Sequence, residues 1–151
     1  MRGSVGLTLK DCVFDRPYRN GVSVIDAVDM LADNCTFSNS LPNGTGRVSP
    51  MVSLPSSPPL KSLTAGVVGQ AGVDLEPNRP TDRLHNITFR RCHSLNNSGA
   101  GFQAFPGNLN GSSLPVMISF EDCDVEGIGF KPYGAGALTA AATALTSALR
   151  L

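Results

Sequence analysis

Apolar and polar residues alternate along four short stretches of this chain, and each alternation breaks at a similar point. The stretches are Leu7-Thr-Leu-Lys-Asp-Cys12-Val-Phe14, Met30-Leu-Ala-Asp-Asn-Cys35-Thr-Phe37, Ile87-Thr-Phe-Arg-Arg-Cys92-His-Ser94 and Ile118-Ser-Phe-Glu-Asp-Cys123-Asp-Val125. The shared order is apolar, polar, apolar, two polar positions, Cys, polar and usually apolar. Alternation with a period of two predicts strands, with Leu7 and Leu9 on one face. Leu9 and Cys12 have opposite parity, so an uninterrupted strand cannot turn both toward one core. A two-residue corner can. The residue before each Cys is Asp11, Asn34, Arg91 or Asp122; Asn and Asp tolerate the left-handed backbone such a corner needs, and Arg91 fits it least well. A further strand opens after a glycine in Gly21-Val-Ser-Val24, Gly72-Val-Asp-Leu75 and Gly101-Phe-Gln-Ala104.

Each unit therefore reads as strand, tight corner, strand, loop and third strand, repeated at about 20 to 35 residues, which is the mark of stacked units. The units run from Gly6 to Phe14, Gly21 to about Ser40, Gly72 to Ser94 and Gly101 to Val125, and Gly129-Phe130 opens another. Residues 1–133 form one repeat domain on this reading. Residues 41–69, rich in Ser, Pro and Gly, are expected to loop out, because proline opposes an interior ladder strand. The alternative is a degenerate unit, since Cys35 and Cys92 stand about two repeat lengths apart. A loop puts them in neighbouring units; a hidden unit puts them two apart. Residues 134–151 shift to Ala, Leu and Thr, and Leu138, Leu145 and Leu149 fall near one helical face. A capping helix or a tail is expected there.

Three short strands per unit predict a right-handed parallel β-helix of about three to four turns. Over roughly Leu7 to Phe130 the repeat resembles the pectin-lyase-like superfamily. That resemblance implies a carbohydrate-active protein, secreted or at the cell surface, that binds or cleaves a polysaccharide along one outward parallel sheet. Lyases and hydrolases share the fold with non-catalytic members, so a structural or adhesive module is the alternative. The Asn-Thr-Asp, Asp-Asp, Gly-His-Gly and Arg-Ile-Lys motifs of polygalacturonases are absent, as is the Trp-Ile-Asp-His motif of pectate lyases.

Composition narrows the partners. Twelve basic and twelve acidic side chains give a formal net charge of zero, which supplies no electrostatic reason for nucleic acid or an anionic membrane. No run of 18 apolar residues marks a membrane span. No signal peptide is visible, and the opening in mid-repeat suggests a fragment of a longer protein. The four cysteines share one repeat position, so a ladder of buried, reduced thiols is expected, although bridges between neighbouring units are geometrically allowed. They contain no Cys-x-x-Cys pair for zinc. Of the sequons at Asn34, Asn43, Asn86, Asn96 and Asn110, Asn34 precedes an inward Cys and is a poor glycan acceptor.

Candidate chemistry concentrates in Gly72-Val-Asp-Leu-Glu-Pro-Asn-Arg-Pro-Thr-Asp-Arg83. Val73 and Leu75 belong to the inward phase, so Asp74 and Glu76 point outward on one strand, about 6.6 Å apart along the backbone. Two carboxylates at that spacing suit an acid and base pair, since glycosidases hold theirs roughly 5–9.5 Å apart. No cofactor is required, although the pair could also bind a hard cation such as Ca²⁺, which takes oxygen ligands. A solvated strand face with its charges held by Arg79 and Arg83 is the plain alternative. The neighbouring outward positions are Ser23 and Ile25 on one side and Gln103 and Phe105 on the other. Ser23, Arg79, Arg83, Gln103 and Phe105 are thus the expected substrate-binding residues. His85 and His93 have no partner at triad or ligand spacing.

Overall fold

The computed structural model describes residues 1–41 and 70–126 in full, and the backbone alone of 128–132 and 144–150. The strands are β1 (Ser4–Val5), β2 (Thr8–Lys10), β3 (Val13–Asp15), β4 (Val22–Val24), β5 (Ala27–Asp33), β6 (Thr36–Ser38), β7 (Val73–Leu75), β8 (Leu84–Arg90), β9 (His93–Leu95), β10 (Ala100–Ala104), β11 (Met117–Val125), β12 (Ile128–Pro132) and β13 (Ala144–Arg150). One 3₁₀ turn, Pro106–Asn108, interrupts them. Nine strands make a large sheet in the order β1-β5-β8-β11-β9-β6-β3, with β2 also on β5 and β13 on β11. Four make a small sheet in the order β12-β10-β7-β4. Every pairing between these strands is parallel.

This arrangement corrects the expected right-handed parallel β-helix with its C-terminal helix. The strands gather into two multi-stranded parallel sheets, and the described residues hold no α-helix. Each Cys corner is expected to divide two strands. Instead β11 runs unbroken through Asp122 and pairs with both β8 and β9, which joins the two sets into one sheet. The segment expected to be helical near Leu145 and Leu149 is strand β13, paired with β11 from Met117↔Ala144 to Asp124↔Arg150. The unpaired N–H and C=O groups along β11 outweigh the helical preference of an Ala-rich segment.

Register follows the cysteine spacing. Val13 pairs with Thr36, Thr36 with His93, and His93 with Asp124. The strands before and after residues 42–69 are therefore nearest neighbours. The inserted segment itself, apart from Leu41, lies outside the described residues, as do 133–143 of the tail.

The corners are left-handed at all four positions: Asp11 (φ 54), Asn34 (φ 53), Arg91 (φ 50) and Asp122 (φ 50). Two further left-handed columns, at Arg16, Asn39 and Asn96 and at Gly6, Asp29 and Asn86, had no signal in the alternation. Amides bind these columns together. The Nδ2 of Asn34 donates to Asp11, that of Asn86 to Asp29 and that of Asn96 to Asn39, each at 2.7 Å. Asn34, Asn86 and Asn96 are thus corner residues with their amide nitrogens engaged.

The core lies between the sheets. Phe14 stacks on Phe37 at 5.3 Å and Phe89 on Phe120 at 5.4 Å. Phe102, from the small sheet, meets Phe37, Phe89 and Phe120 with ring centroids 6.2, 5.2 and 4.9 Å away. Burying such a ring contributes about 3 kcal/mol. Cys35, Cys92 and Cys123 are fully buried, Cys12 is half-buried, and all four are free thiols. Burial pushes the Cys35 thiol up, and the adjacent Cys123 thiol together with burial pushes Cys92 up. The same contact with Cys92 lowers the Cys123 thiol, and both lie fully buried in the core. The strand-leading glycines have a steric reason: a Cβ on Gly72 would lie 2.7 Å from the Gly101 carbonyl oxygen and closer still to Ser94 Oγ.

Candidate functional site

The small sheet carries Ser23, Asp74 and Gln103 in one cross-strand row, because Ser23 pairs with Asp74 and Asp74 with Gln103. The same row reaches the backbone position of Lys131. The alternation that produces it is anchored by Val73, Leu75, Phe102 and, on β4, Val24, all fully buried. Side chains between those residues must leave the opposite face.

Asp74 is only 3% exposed despite that outward direction. Its Oδ2 accepts a 2.7 Å hydrogen bond from Asn20 Nδ2. Its Oδ1 is buried with no hydrogen-bond partner among the described residues. No Arg or Lys among the described residues pairs with it. Burial therefore dominates, and with the nearby negative charge of Glu76 it raises the Asp74 carboxyl to about 6, against the opposing effect of the Gln103 and Asn20 amides. Glu76 is exposed, and its backbone N–H continues the ladder to Val24 O at 2.9 Å.

The other expected residues divide. Gln103 and Phe105 are half-buried beside the acids on β10 and just after it, and Ser23 is half-buried on β4. Arg83 is elsewhere. Its guanidinium grips Asp26 in a two-pronged pair, Nε to Oδ1 at 2.8 Å and a terminal nitrogen to Oδ2 at 3.1 Å. Arg79 is exposed and makes no ion pair among the described residues; its backbone N–H and that of Asn78 are held by Asp82 Oδ2. Neither arginine neutralises Asp74. Among the described residues no group of three or more His, Cys, Asp or Glu gathers for a metal ion. His93 Nδ1 lies 3.2 Å from Asp124 on the large sheet, and His85 Nδ1 lies 3.0 Å from the Pro115 carbonyl, both away from the acids.

Asn20 was missed in the sequence. Its Oδ1 accepts the Ala71 N–H at 2.9 Å while its Nδ2 reaches Ser23 Oγ and Asp74. The available signal was an Asn immediately before the strand-opening Gly21, a position that reads as turn chemistry and gives no hint of a partner 54 residues on.

No family model matches the chain, and neither a curated protein nor a solved structure matches it. No helix among the described residues is long and apolar enough to cross a membrane.

Proposed function

We propose that the small-sheet face bearing Ser23, Asp74, Glu76, Gln103 and Phe105 binds a polysaccharide, with Asp74 as the proton-donating carboxyl and Glu76 as the carboxylate of an acid–base pair. The observation that carries this reading is Asp74: an acid almost wholly buried, with no cation paired to it and one oxygen without a hydrogen-bond partner among the described residues. Proteins rarely bury a carboxyl so, and groups with strongly raised values concentrate at functional sites. A carboxyl that holds its proton to about pH 6 can donate to a glycosidic oxygen, while an exposed carboxylate nearby serves as base or nucleophile. The amides of Asn20 and Gln103 suit sugar hydroxyls, and a ring such as Phe105 suits a sugar face. The resemblance of the repeat to pectin-lyase-like proteins points to the same substrate class.

The test is a panel of neutral and acidic polysaccharides, scored for binding by calorimetry and for turnover by released reducing ends. Asp74→Asn should abolish turnover and keep binding, and Glu76→Gln should lower turnover at every pH. Unchanged binding and turnover in both variants removes the site.

One observation favours a non-catalytic structural or adhesive module instead. Asn20 joins Asp74, Ser23 and the Ala71 N–H, so Asp74 also ties the turn before β4 to the strand beside it. On that reading no polysaccharide in the panel binds, and Asp74→Asn changes stability alone.

A further inference from the structure

We propose that Asn110-Gly111 is a site of self-modification, at which the Asn110 side chain closes on the Gly111 backbone nitrogen, loses ammonia and is opened by water to a carboxylate. Asn-Gly is the dipeptide best suited to this ring closure, because glycine places no Cβ beside the attacking nitrogen. The chain has three of them: Asn20-Gly21, Asn43-Gly44 and Asn110-Gly111. Asn43-Gly44 lies outside the described residues. The fold treats the other two in opposite ways. At Asn20-Gly21 every reacting group is held. Asn20 Oδ1 accepts the Ala71 N–H at 2.9 Å, and its Nδ2 donates to Asp74 Oδ2 at 2.7 Å and to Ser23 Oγ at 3.3 Å. The Gly21 N–H donates to the Ala71 carbonyl at 3.1 Å. The backbone is equally confined, since a Cβ on Gly21 would lie 2.5 Å from the Gly72 carbonyl oxygen. Ring closure there must break these bonds and shift the turn that leads into β4.

At Asn110-Gly111 the frame is held and the reacting groups are free. Leu109 and Val116 are buried on either side of the dipeptide. Asn108 Nδ2 donates to the Pro77 carbonyl at 3.0 Å, and Ser113 Oγ to the Pro80 carbonyl at 2.6 Å. Within the turn, the Ser113 N–H donates to the Asn110 carbonyl at 2.9 Å and the Asn110 N–H to Ser113 Oγ at 3.0 Å. Asn110, Gly111 and Ser112 are exposed. The Gly111 N–H and Asn110 Nδ2 have no hydrogen-bond partner among the described residues. Asn110 Oδ1 is engaged, by the Ser112 N–H at 2.9 Å and the Ser112 hydroxyl at 2.7 Å. That oxygen is where negative charge gathers when Cγ is attacked, so both donors favour the attack.

The reaction needs only water. The Gly111 nitrogen gives its proton to water and bonds to Asn110 Cγ. The bond from Cγ to Nδ2 breaks, and that nitrogen leaves as ammonia after taking a proton from water. Hydrolysis of the cyclic imide then yields either an aspartyl residue or its isoaspartyl isomer, whose backbone runs through Cβ. No electrons are exchanged with an outside reagent. Either product adds one negative charge to a chain of formal net charge zero. The charge arrives on a loop that is hydrogen-bonded to Pro77 and Pro80, in the turn after Glu76. The isoaspartyl form also lengthens the backbone inside the turn that the Asn110 carbonyl and Ser113 N–H close.

The experiment is incubation of the folded 151-residue chain in mild alkali, followed by ion exchange and by peptide mapping with mass spectrometry. Asn110 should convert roughly a hundredfold faster than Asn20, whose hydrogen bonds must break first. In urea both dipeptides lose their surroundings, and the two rates should converge. Gly111→Ala should slow conversion at position 110 sharply, because a side chain then crowds the attacking nitrogen. That variant should fold, since a Cβ on Gly111 meets nothing within 4 Å, and far-UV circular dichroism checks it. An Asn110 that stays intact overturns the proposal, as do equal rates at the two sites in the folded chain. An undiminished rate in Gly111→Ala overturns the ring closure. A gap between the sites that survives in urea overturns the role given to the fold.

Discussion

Acids on the two sheets live under opposite rules. On and beside the large sheet several are paired. Asp33 is held by Arg90 at 2.9 Å and Arg91 at 2.6 Å, and Arg83 grips Asp26. Asp15 accepts from Ser38 and Asn39, and Asp11 and Asp29 each accept an Asn amide. Across the strands Lys10, Asp33, Arg90 and Glu121 form one row of alternating charge. Hydrogen bonds from Arg83, Arg90 and Asn39 hold Asp26, Asp33 and Asp15 below the usual carboxylate range. On the small sheet Asp74 is buried with no cation paired to it among the described residues and is pushed up to about 6. The first set is what a fold does with charge when stability is the only demand. The second costs stability, and that cost is the argument for a role.

The comparison requires that both sheets share one core, and Phe102 is where they meet. Phe102→Ala should remove about 3–5 kcal/mol, measured by urea denaturation, with near-UV and far-UV signals lost together. If the signals separate, the sheets unfold independently and cannot be compared as parts of one cooperative unit. Gly72→Ala tests the close approach that sets the acid-bearing strand in place. Its Cβ would meet the Gly101 carbonyl at 2.7 Å, so a loss of about 1–3 kcal/mol is expected. A neutral result would mean the backbone there can yield.

Asp74→Asn should do the reverse and stabilise the protein at pH 7. A carboxyl raised from 3.8 to about 6 on folding contributes stability that is fully present below the lower value and lost as pH rises through the higher. Allowing for partial screening by solvent, the gain on substitution is about 1–2 kcal/mol. It should vanish when the two proteins are compared below the ordinary carboxylate range. Asp26 and Asp33 have the opposite sign: their contribution is present above the ordinary value of 3.8 and disappears as pH falls through the lower folded value. Stability plotted against pH should therefore rise from strong acid, then decline between about 4 and 6, and Asp74→Asn should abolish only the decline. An unaltered decline would show that Asp74 is not the group responsible. The smallest effect belongs to the charged row: raising salt should weaken the fold by well under about 1 kcal/mol, since exposed pairs are screened, and Glu121→Gln should shrink that dependence.

Much of the local structure was legible in the residues. The parity slip between Leu9 and Cys12 located a corner, and Asp11, Asn34, Arg91 and Asp122 all take the left-handed backbone it requires. Arg91, the least suited by type, does so while its guanidinium reaches Asp33. The inward phase of Val73, Leu75 and Phe102, and the row of Ser23, Asp74 and Gln103, also follow from alternation once the strands are placed. The corner backbone and the inward phase are set within a few residues by steric preference and side-chain parity, so the sequence alone determines them; the row also needs the pairing of β4, β7 and β10.

What the tertiary structure decided is which groups meet. The sequence offers Arg79 and Arg83 to hold the charges of Asp74 and Glu76; pairing Ala27 with Leu84 gives Arg83 to Asp26 instead. The same long-range pairing brings Asn20 to Asp74 and merges the strands flanking each corner into one sheet. It also places the Ala- and Leu-rich C-terminal segment, an expected helix, beside β11 as a strand. Local preference amounts to tenths of a kcal/mol per residue, about the scale on which a sheet edge or a buried charge reverses it. Among the described residues Asp74 is given amides and no cation for the same reason: Gln103 from its strand partner and Asn20 from the turn before β4 come from far along the chain.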